Sequence, residues 1–573
     1  MTITPALVHA TVERLTASGE PFEVGTTTVG GSTYRAFVHA FPTVVDILAA
    51  ARGHGSAEFL VCGDQRWSFD RFFSDVDALA ATLQHDFGLR AGDRLAIAMR
   101  NCPDWLLAFA AGVQIGAVVV PVNSWGSAEE LTFTLRNSGA TVLAADLPRA
   151  RLACAGASEV PIRLLFSDID GGANDIPEIS EAALSIHPIR DAADSGRGRP
   201  YSVAKPLPED VALLLYTSGS SGTPKGVIYR HIAVGQALMN MLFVGFLATE
   251  LGGAVELRGG ATAEVQLATV PLFHATGLFS AFLLPGLLGQ KVAMLRKWDA
   301  ETAMHVIERE KVTMISTVPA ILKDLLTHPS LGHHDLSSIS RVAAAGAATP
   351  SDLPALLREK LGIVARSAGY GMTETAAVCA TMSGPVFDLK PFSCGVLSPI
   401  IELRVAAGDG AGAAPDADGE IQLRGVTITP GYWRLDEMTG EAFTADGWLR
   451  TGDLGHVDED GFLYITGRMK EIVIRGGENI SPIEIENVAY QHPSVKEAAA
   501  FGVVDDRMGE ELALVCYPQP EAGLTEEELR KHLLATLPAF KVPKYISFSD
   551  LPLPRNASEK IHRLALQKSF TPH

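Results

Sequence analysis

LLLYTSGSSGTPKGV, from Leu213 to Val227, is the stretch that organises the rest of the chain. Its opening residues are apolar and read as a buried strand. The strand runs into a loop where Thr217, Ser218, Ser220, Ser221 and Thr223 offer hydroxyls and Lys225 adds a positive charge. Gly219, Gly222 and Gly226 let the backbone curl close to a ligand. This is not the G-x-x-x-x-G-K-[ST] loop of nucleoside triphosphatases, because Gly226 follows Lys225 and the glycines are spaced differently. A Gly/Ser-rich surface turn would share the composition, but it does not explain five hydroxyls, a Pro and a Lys interleaved with glycines straight after an apolar strand. Beyond the loop, Val234, Ala237, Leu238, Met241, Leu242 and Gly245 recur at helical spacing, so a helix is expected to pack on the core right after it.

Working outward, 573 residues exceed one ordinary hydrophobic core, and two or more domains are expected. The apolar fraction of 47% is that of a globular protein. With Lys plus Arg at 47 against Asp plus Glu at 66, the net charge of −19 disfavours nucleic acid and anionic lipid as partners. The six cysteines are scattered, with no CxxC pair and no Cys/His cluster at metal-ligand spacing, which points to a reduced, cytoplasmic protein without structural zinc. The start, MTITPALVHATVERL, lacks the unbroken apolar stretch of a signal peptide. Trp105 to Val122 approaches the length of a membrane span, yet Gly112, Gln114, Gly116 and Pro121 divide it into a helix to about Ile115 and a strand Ala117 to Val122. No integral membrane segment is expected.

Helical and strand patterns alternate through the first 470 residues or so, which implies an α/β class with mostly parallel sheets covered by helices. Examples are the helix Ser68 to Leu83 and the strands Arg94 to Met99 and Lys311 to Thr317. Gly171 to Glu209 reads as a connecting segment, Gly408 to Gly419 as a loop between two strands, and Gly252 to Ala263 as an exposed insertion. After Gly467 the elements shorten: strands near Ile472, Phe501 and Leu512, with helices from Pro482 and Glu526. Both helices carry a capping-box pattern, Ser481 with Glu484 and Thr525 with Glu528. A small α+β domain therefore closes the chain, and the active site is expected in the cleft between the two domains.

Further motifs follow in order. Gly369-Tyr370-Gly371-Met372-Thr373-Glu374 sets a carboxylate beside a glycine-rich turn, and a triphosphate needs a hard cation that takes one carboxylate plus phosphate oxygens. Gly447 to Arg468 holds a hairpin turned at Asp460-Gly461, with Asp453 offering two acceptor oxygens suited to a vicinal diol. RGGENISP has adjacent Gly476 and Gly477, followed by Glu478. Val270-Pro271-Leu272-Phe273-His274 leads into an apolar stretch, and AAAGAA (Ala343 to Ala348) is made of very small side chains.

TSGSSGTPKG resembles the phosphate-loop signature of the adenylate-forming superfamily, whose members include acyl-CoA synthetases, peptide-synthetase adenylation domains and beetle luciferases. The resemblance extends over nearly the whole chain and is to the acyl-CoA synthetase, or fatty-acid–CoA ligase, type. It implies a large adenylation domain, 1–469, and a mobile domain, 470–573, turning about Lys470. It also implies that Thr217, Ser218, Gly219, Ser220, Ser221, Gly222, Thr223, Lys225, Gly346, Ala347, Gly369, Tyr370, Gly371, Met372, Thr373, Asp453, Arg468 and Lys560 bind ATP or AMP. Within that set Tyr370 lies along adenine, Thr373 contacts phosphate, Asp453 takes the ribose hydroxyls and Arg468 binds ribose or phosphate. By the same resemblance Glu374 holds Mg²⁺, and Gly476, Gly477 and Glu478 line the coenzyme A tunnel. His274, Ala345 and Gly346 border the acyl pocket, and Glu374, Thr373, His274 and Lys560 are the catalytic set. Where the family usually has Gly before that lysine this chain has Glu559, which resists positive φ and whose carboxylate would, if paired with Lys560, compete with the phosphate and lower the efficiency of adenylation.

The expected activity is an ATP-dependent carboxylic acid–CoA ligase acting on a fatty or other hydrophobic acid through an acyl-AMP. Its cofactors and partners are then ATP, Mg²⁺, coenzyme A and a small-molecule acid. A homodimer is compatible with the sequence, which does not determine it. The alternatives are an enzyme that loads a carrier-protein phosphopantetheine, as fatty acyl-AMP ligases do, and a weakly active acyl-adenylate-binding protein.

Overall fold

The computed structural model describes residues 2–155, 162–167, 185–217, 224–253, 256–344, 353–363, 367–390, 393–406, 417–519, 523–555 and 561–571. The strand Val211–Thr217 pairs parallel with Val118–Pro121 and antiparallel with Lys225–Arg230. A seven-stranded sheet grows from it, continuing through Arg94–Ala98, Val142–Asp146, Arg163–Ser167 and Ser185–Pro188, and all its other pairings are parallel. The expected helix is present as His231–Ala248, but a return strand precedes it. Val227, Ile228 and Tyr229 favour extended backbone, and the register pairs Thr217 with Lys225, so the two segments on either side of residues 218–223 run side by side as neighbouring strands. Gly226 accordingly lies in a strand. A Cβ there would sit 2.9 Å from the Tyr216 ring, so this glycine makes room for a side chain of the chain itself.

The Trp105–Val122 segment divides as expected, into the helix Pro103–Gln114 and the strand Val118–Pro121. Every residue of that helix is buried, and Trp105 stacks on Phe109 with ring centroids 5.5 Å apart. Burying side chains of this size is worth about 1.5–3 kcal/mol each. Among the described residues one helix, His231–Gly253, is long and apolar enough to cross a membrane, with a mean hydropathy of 1.7. Its most apolar window is 61% buried, because Val234, Ala237 and Leu238 join one core cluster while Ile232, Phe243 and Leu247 join another. It is a core helix.

A second, six-stranded sheet runs in the order Arg341–Ala344, Met314–Thr317, Val265–Ala268, Lys291–Met294, Glu58–Cys62, Gln65–Ser68, parallel except for the last pair. The third sheet departs from the expected parallel pattern. Its seven strands, from Ser367–Tyr370 to Ile401–Ala406, are antiparallel throughout, since short hairpins connect several of them and no crossover helix is needed. Part of the expected connector also folds: Ser185–Pro188 completes the first sheet, and the helix Ile189–Gly196 buries Ile189, Ala192 and Ala193.

The small C-terminal domain is a five-stranded sheet with the helices Pro482–Ala489, Glu526–Thr536 and Arg563–Ser569. The capping box at Thr525 and Glu528 is formed. The one expected at Ser481 is not: Glu484 binds Lys541 Nζ at 2.7 Å, and the buried Ser481 hydroxyl points at Gly467. An ion pair to a neighbouring element outcompetes the local backbone contact there.

Candidate active site

Strand register brings the first cluster together. Asp453 and Arg468 are direct cross-strand partners in the hairpin Leu449–Val457 and Phe462–Arg468, and Arg468 Nε donates to Asp453 Oδ1 at 2.9 Å. Tyr370, at the end of its strand in the same sheet, donates its hydroxyl to Asp453 Oδ2 at 2.6 Å. Asp453 is only 2% exposed. Burial raises its carboxyl above the ordinary aspartate range despite the opposing pull of Arg468 and Tyr370. Burial, with Asp453 beside it, likewise keeps the Tyr370 phenol protonated.

From Tyr370 the chain turns sharply to reach Glu374. A Cβ on Gly371 would lie 1.6 Å from the Ala377 carbonyl oxygen, so only glycine fits. Thr375 Oγ1 ties the turn to the Met372 backbone at 3.0 Å. Beyond it Ala376 and Ala377 hold φ of 53° and 80°, left-handed backbone that non-glycine residues adopt at a cost and that clusters at functional turns.

This turn delivers a buried carboxylate. Tyr432 donates its hydroxyl to Glu374 Oε1 at 2.9 Å, and Lys225 Nζ sits 4.9 Å from the centre of the same Tyr432 ring. Backbone bonds align the segment: Trp433 N to Gly226 O at 2.8 Å, and Thr429 N to Glu374 O at 2.8 Å. Tyr229 donates to the Thr373 carbonyl. Lys225, Thr373 and Glu374 are therefore joined through two tyrosines that motif reading passed over. Their signals were an aromatic residue in GVIYR, directly after the loop, and another in ITPGYW, far along the chain but bridged to Val227 in the fold. A single carboxylate with a hydroxyl on one oxygen suits Mg²⁺, which completes its shell with phosphate and water oxygens.

The remaining expected residues lie elsewhere. His274 caps the short helix Ala275–Leu278, its ring 4.3 Å from that of Phe273, which in turn meets Trp125 edge-on. Gly369 is in the strand that ends at Tyr370, and Met372 caps the Thr373–Thr375 turn. Lys470 is exposed in the turn Met469–Glu471. Gly476 and Gly477, at φ 60° and 93°, form the tight turn joining Val473–Arg475 to Glu478–Ile480, with Glu478 exposed. Ser218, Gly219, Ser220, Ser221, Gly222, Thr223, Ala345, Gly346, Ala347, Glu559 and Lys560 lie outside the described residues.

Residues 47–433 match the model of the family described as AMP-binding enzyme, and residues 484–560 match that of the AMP-binding enzyme C-terminal domain. The chain belongs to the AMP-binding enzyme family. Among curated AMP-binding relatives, a feruloyl-CoA synthase of Amycolatopsis sp is 32% identical over 484 residues, 84% of this chain and 90% of that protein. A long-chain-fatty-acid–CoA ligase of Bacillus subtilis (strain 168) is 31% identical over 524 residues, 88% of this chain and 90% of the relative. The solved o-succinylbenzoate CoA synthetase of Bacillus subtilis, in complex with its acyl-adenylate intermediate, superposes with a TM-score of 0.73 at 27% identity, covering 92% of this chain and 98% of its own. The AMP-binding fold, a large N-terminal and a small C-terminal domain, is thus shared along the chain.

Proposed function

We propose that this protein activates a hydrophobic carboxylic acid with ATP as an acyl-adenylate and passes the acyl group to the thiol of coenzyme A. It is an AMP-forming acid–thiol ligase: both family models match, and the curated relatives across most of its length are CoA ligases and synthases. The observation that carries the reading is the convergence of Lys225 and Glu374 on Tyr432, with Glu374 itself four residues along the chain from the Tyr370 that is bonded to Asp453.

In this reading Asp453 accepts the ribose hydroxyls, with Arg468 and Tyr370 holding its two oxygens in place. Lys225 and the hydroxyls from Thr217 to Thr223 stabilise the phosphates, and Thr373 adds a contact. When bound at Glu374, Mg²⁺ neutralises phosphate charge. The substrate carboxylate attacks the α-phosphorus, the bond to pyrophosphate breaks, and Lys560 offsets the charge that develops. Rotation about Lys470, at the boundary between 1–469 and 470–573, then withdraws Lys560 and brings Gly476, Gly477 and Glu478 to the site. The thiol of coenzyme A attacks the acyl carbonyl and AMP leaves. His274 and the small residues Ala345 and Gly346 border the acyl group, which suits a fatty or aromatic acid. The readily diffusible substrates fit a cytoplasmic enzyme, and a homodimer is the assembly to check by light scattering.

The test is acid-dependent AMP release with and without coenzyme A, over short to long fatty acids and benzoate- and cinnamate-like acids. Release that coenzyme A accelerates and that falls on the order of 10²- to 10³-fold in Lys560→Ala supports the reading. Glu559→Gly should speed the adenylation step. ATP binding without AMP or pyrophosphate release for any acid overturns it.

A further inference from the structure

Away from the nucleotide cluster, three side chains distant in sequence meet on the surface of the second sheet's helical layer. Glu301 and His305 stand one turn apart on the exposed face of the helix Ala300–Glu310. His334 caps the turn Pro329–His333 that follows the helix Pro319–Thr327. One ligand-type atom from each of Glu301, His305 and His334 lies within 4.8 Å of the other two. The two imidazoles meet edge to face with centroids 4.4 Å apart. His334 Nδ1 lies 3.3 Å from Glu308 Oε2, and its side chain is only 6% exposed.

We propose that Glu301, His305 and His334 form a binding site for a borderline divalent transition-metal ion, with Zn²⁺ the ion it fits. Two imidazoles and one carboxylate are a nitrogen-rich donor set, which suits Zn²⁺ and its neighbours and disfavours Mg²⁺ and Ca²⁺, whose shells are built from oxygen. Zinc takes such ligands at about 2.0–2.2 Å in a tetrahedron, so the exposed Glu301 and His305 side chains close in by rotation on the nearly buried His334. Three protein ligands leave the fourth position to water or a small anion. Glu308 supplies the outer partner: accepting a hydrogen bond from Nδ1–H of His334, it favours the tautomer whose Nε2 carries the lone pair.

The surrounding charges are compatible. Arg309 is drawn to Glu310 at 2.8 Å, a carboxylate it shares with Arg66 and Lys291, and to the Gly63 carbonyl at 2.8 Å, while Lys311 pairs with Asp335 at 2.9 Å, so both cations are engaged by other groups. Arg296 and Lys297 line the groove of about 620 Å³ beside His305 and Glu308, where they favour an anion as the fourth ligand. The bound ion would fasten the Ala300–Glu310 helix to the Pro329–His333 turn, two elements of the layer that covers the second sheet. Cysteine and histidine spacing missed this site because one ligand is a glutamate and the second histidine arrives only after a further helix.

The experiment strips the full-length protein with EDTA and titrates it with ZnCl₂, and separately with MgCl₂, reading bound metal by elemental analysis after dialysis and thermal unfolding in parallel. The expected result is about one zinc per chain, a rise in Tm of at least about 2 °C with zinc in large excess over Kd, and no response to MgCl₂. Glu308→Gln should weaken zinc binding by about 10-fold or more. His305→Ala and Glu301→Gln, both at exposed positions, should remove it while matching the stripped wild type in Tm. Failure of wild type to retain zinc, or equal retention by wild type, His305→Ala and Glu301→Gln, overturns the site. None of these readouts depends on the ligase activity.

Discussion

Asp453 and Arg468 face each other across two neighbouring strands, 2.9 Å apart, and the aspartate is the buried partner while the arginine is half exposed. The carboxylate of this pair is raised in pKa, so its ionised form is held against a net burial cost.

That cost gives a signed prediction for Asp453→Asn. A carboxyl raised above its unfolded value binds its proton more tightly in the folded state, so its contribution to stability falls as pH rises from the ordinary aspartate range, about 3.9, through the raised value. At neutral pH, Asp453→Asn should therefore unfold at the same temperature as wild type or higher. Its kcat/KM for ATP should drop by about 10- to 100-fold, the loss expected for a hydrogen bond to a charged group. Wild-type ATP use should also weaken on the acid side at a pH above that of an ordinary aspartate, and the variant should lose this limb. Steady-state kinetics across pH, with calorimetry, checks both.

Tyr432 links Lys225 to Glu374 through its ring on one side and its hydroxyl on the other. Tyr432→Phe keeps the ring under the ammonium and removes the bond to Glu374, at a cost of about 1 kcal/mol or several-fold in rate. The effect should show as a higher Mg²⁺ requirement. Tyr432→Leu removes both contacts and should lower activity further at saturating Mg²⁺. Titrating Mg²⁺ at fixed ATP separates the two variants.

Gly477 holds φ of 93° in the turn between Val473–Arg475 and Glu478–Ile480, with open space around it. Gly477→Ala should cost about 1–2 kcal/mol of local backbone strain with no steric clash. Pyrophosphate exchange should stay near wild type while coenzyme A-dependent AMP release slows. Equal loss in both assays would assign the turn a structural role alone.

Arg563 reaches both Glu486, 3% exposed, and Glu471, beside Lys470, at 2.7 and 2.9 Å. Burial pushes the Glu486 carboxyl up even with the guanidinium against it. Arg563→Met should strand Glu486 and destabilise the C-terminal domain by about 3–5 kcal/mol. Limited proteolysis should then cut within 471–571 well before the N-terminal domain, a pattern read directly by mass spectrometry.

The sequence disclosed the large elements because their periodicity is strong: the helix before Gln114, the buried strand at Leu213 and the five short elements after Gly467 all lie where apolar spacing put them. It disclosed less where tertiary partners decide. The return strand Lys225–Arg230 is short enough to pass for the start of the following helix, and the antiparallel third sheet differs from a parallel one only in its connections. At the candidate site, Asp453, Arg468, Tyr370 and Glu374 stood out by motif. Tyr229 and Tyr432 did not, because each acts through a residue more than 50 positions away. The failed cap at Ser481 has the same origin, since Lys541 was invisible to a local rule.

The pairing of Thr217 with Lys225 carries a consequence for engineering. Side chains alternate faces along a strand, so deleting one residue of the return strand would swing Lys225 to the opposite side of the sheet and take its ammonium away from Tyr432. Length variants of this protein should therefore fail on deletion of a single residue in either paired arm, even where every side chain of the site is retained.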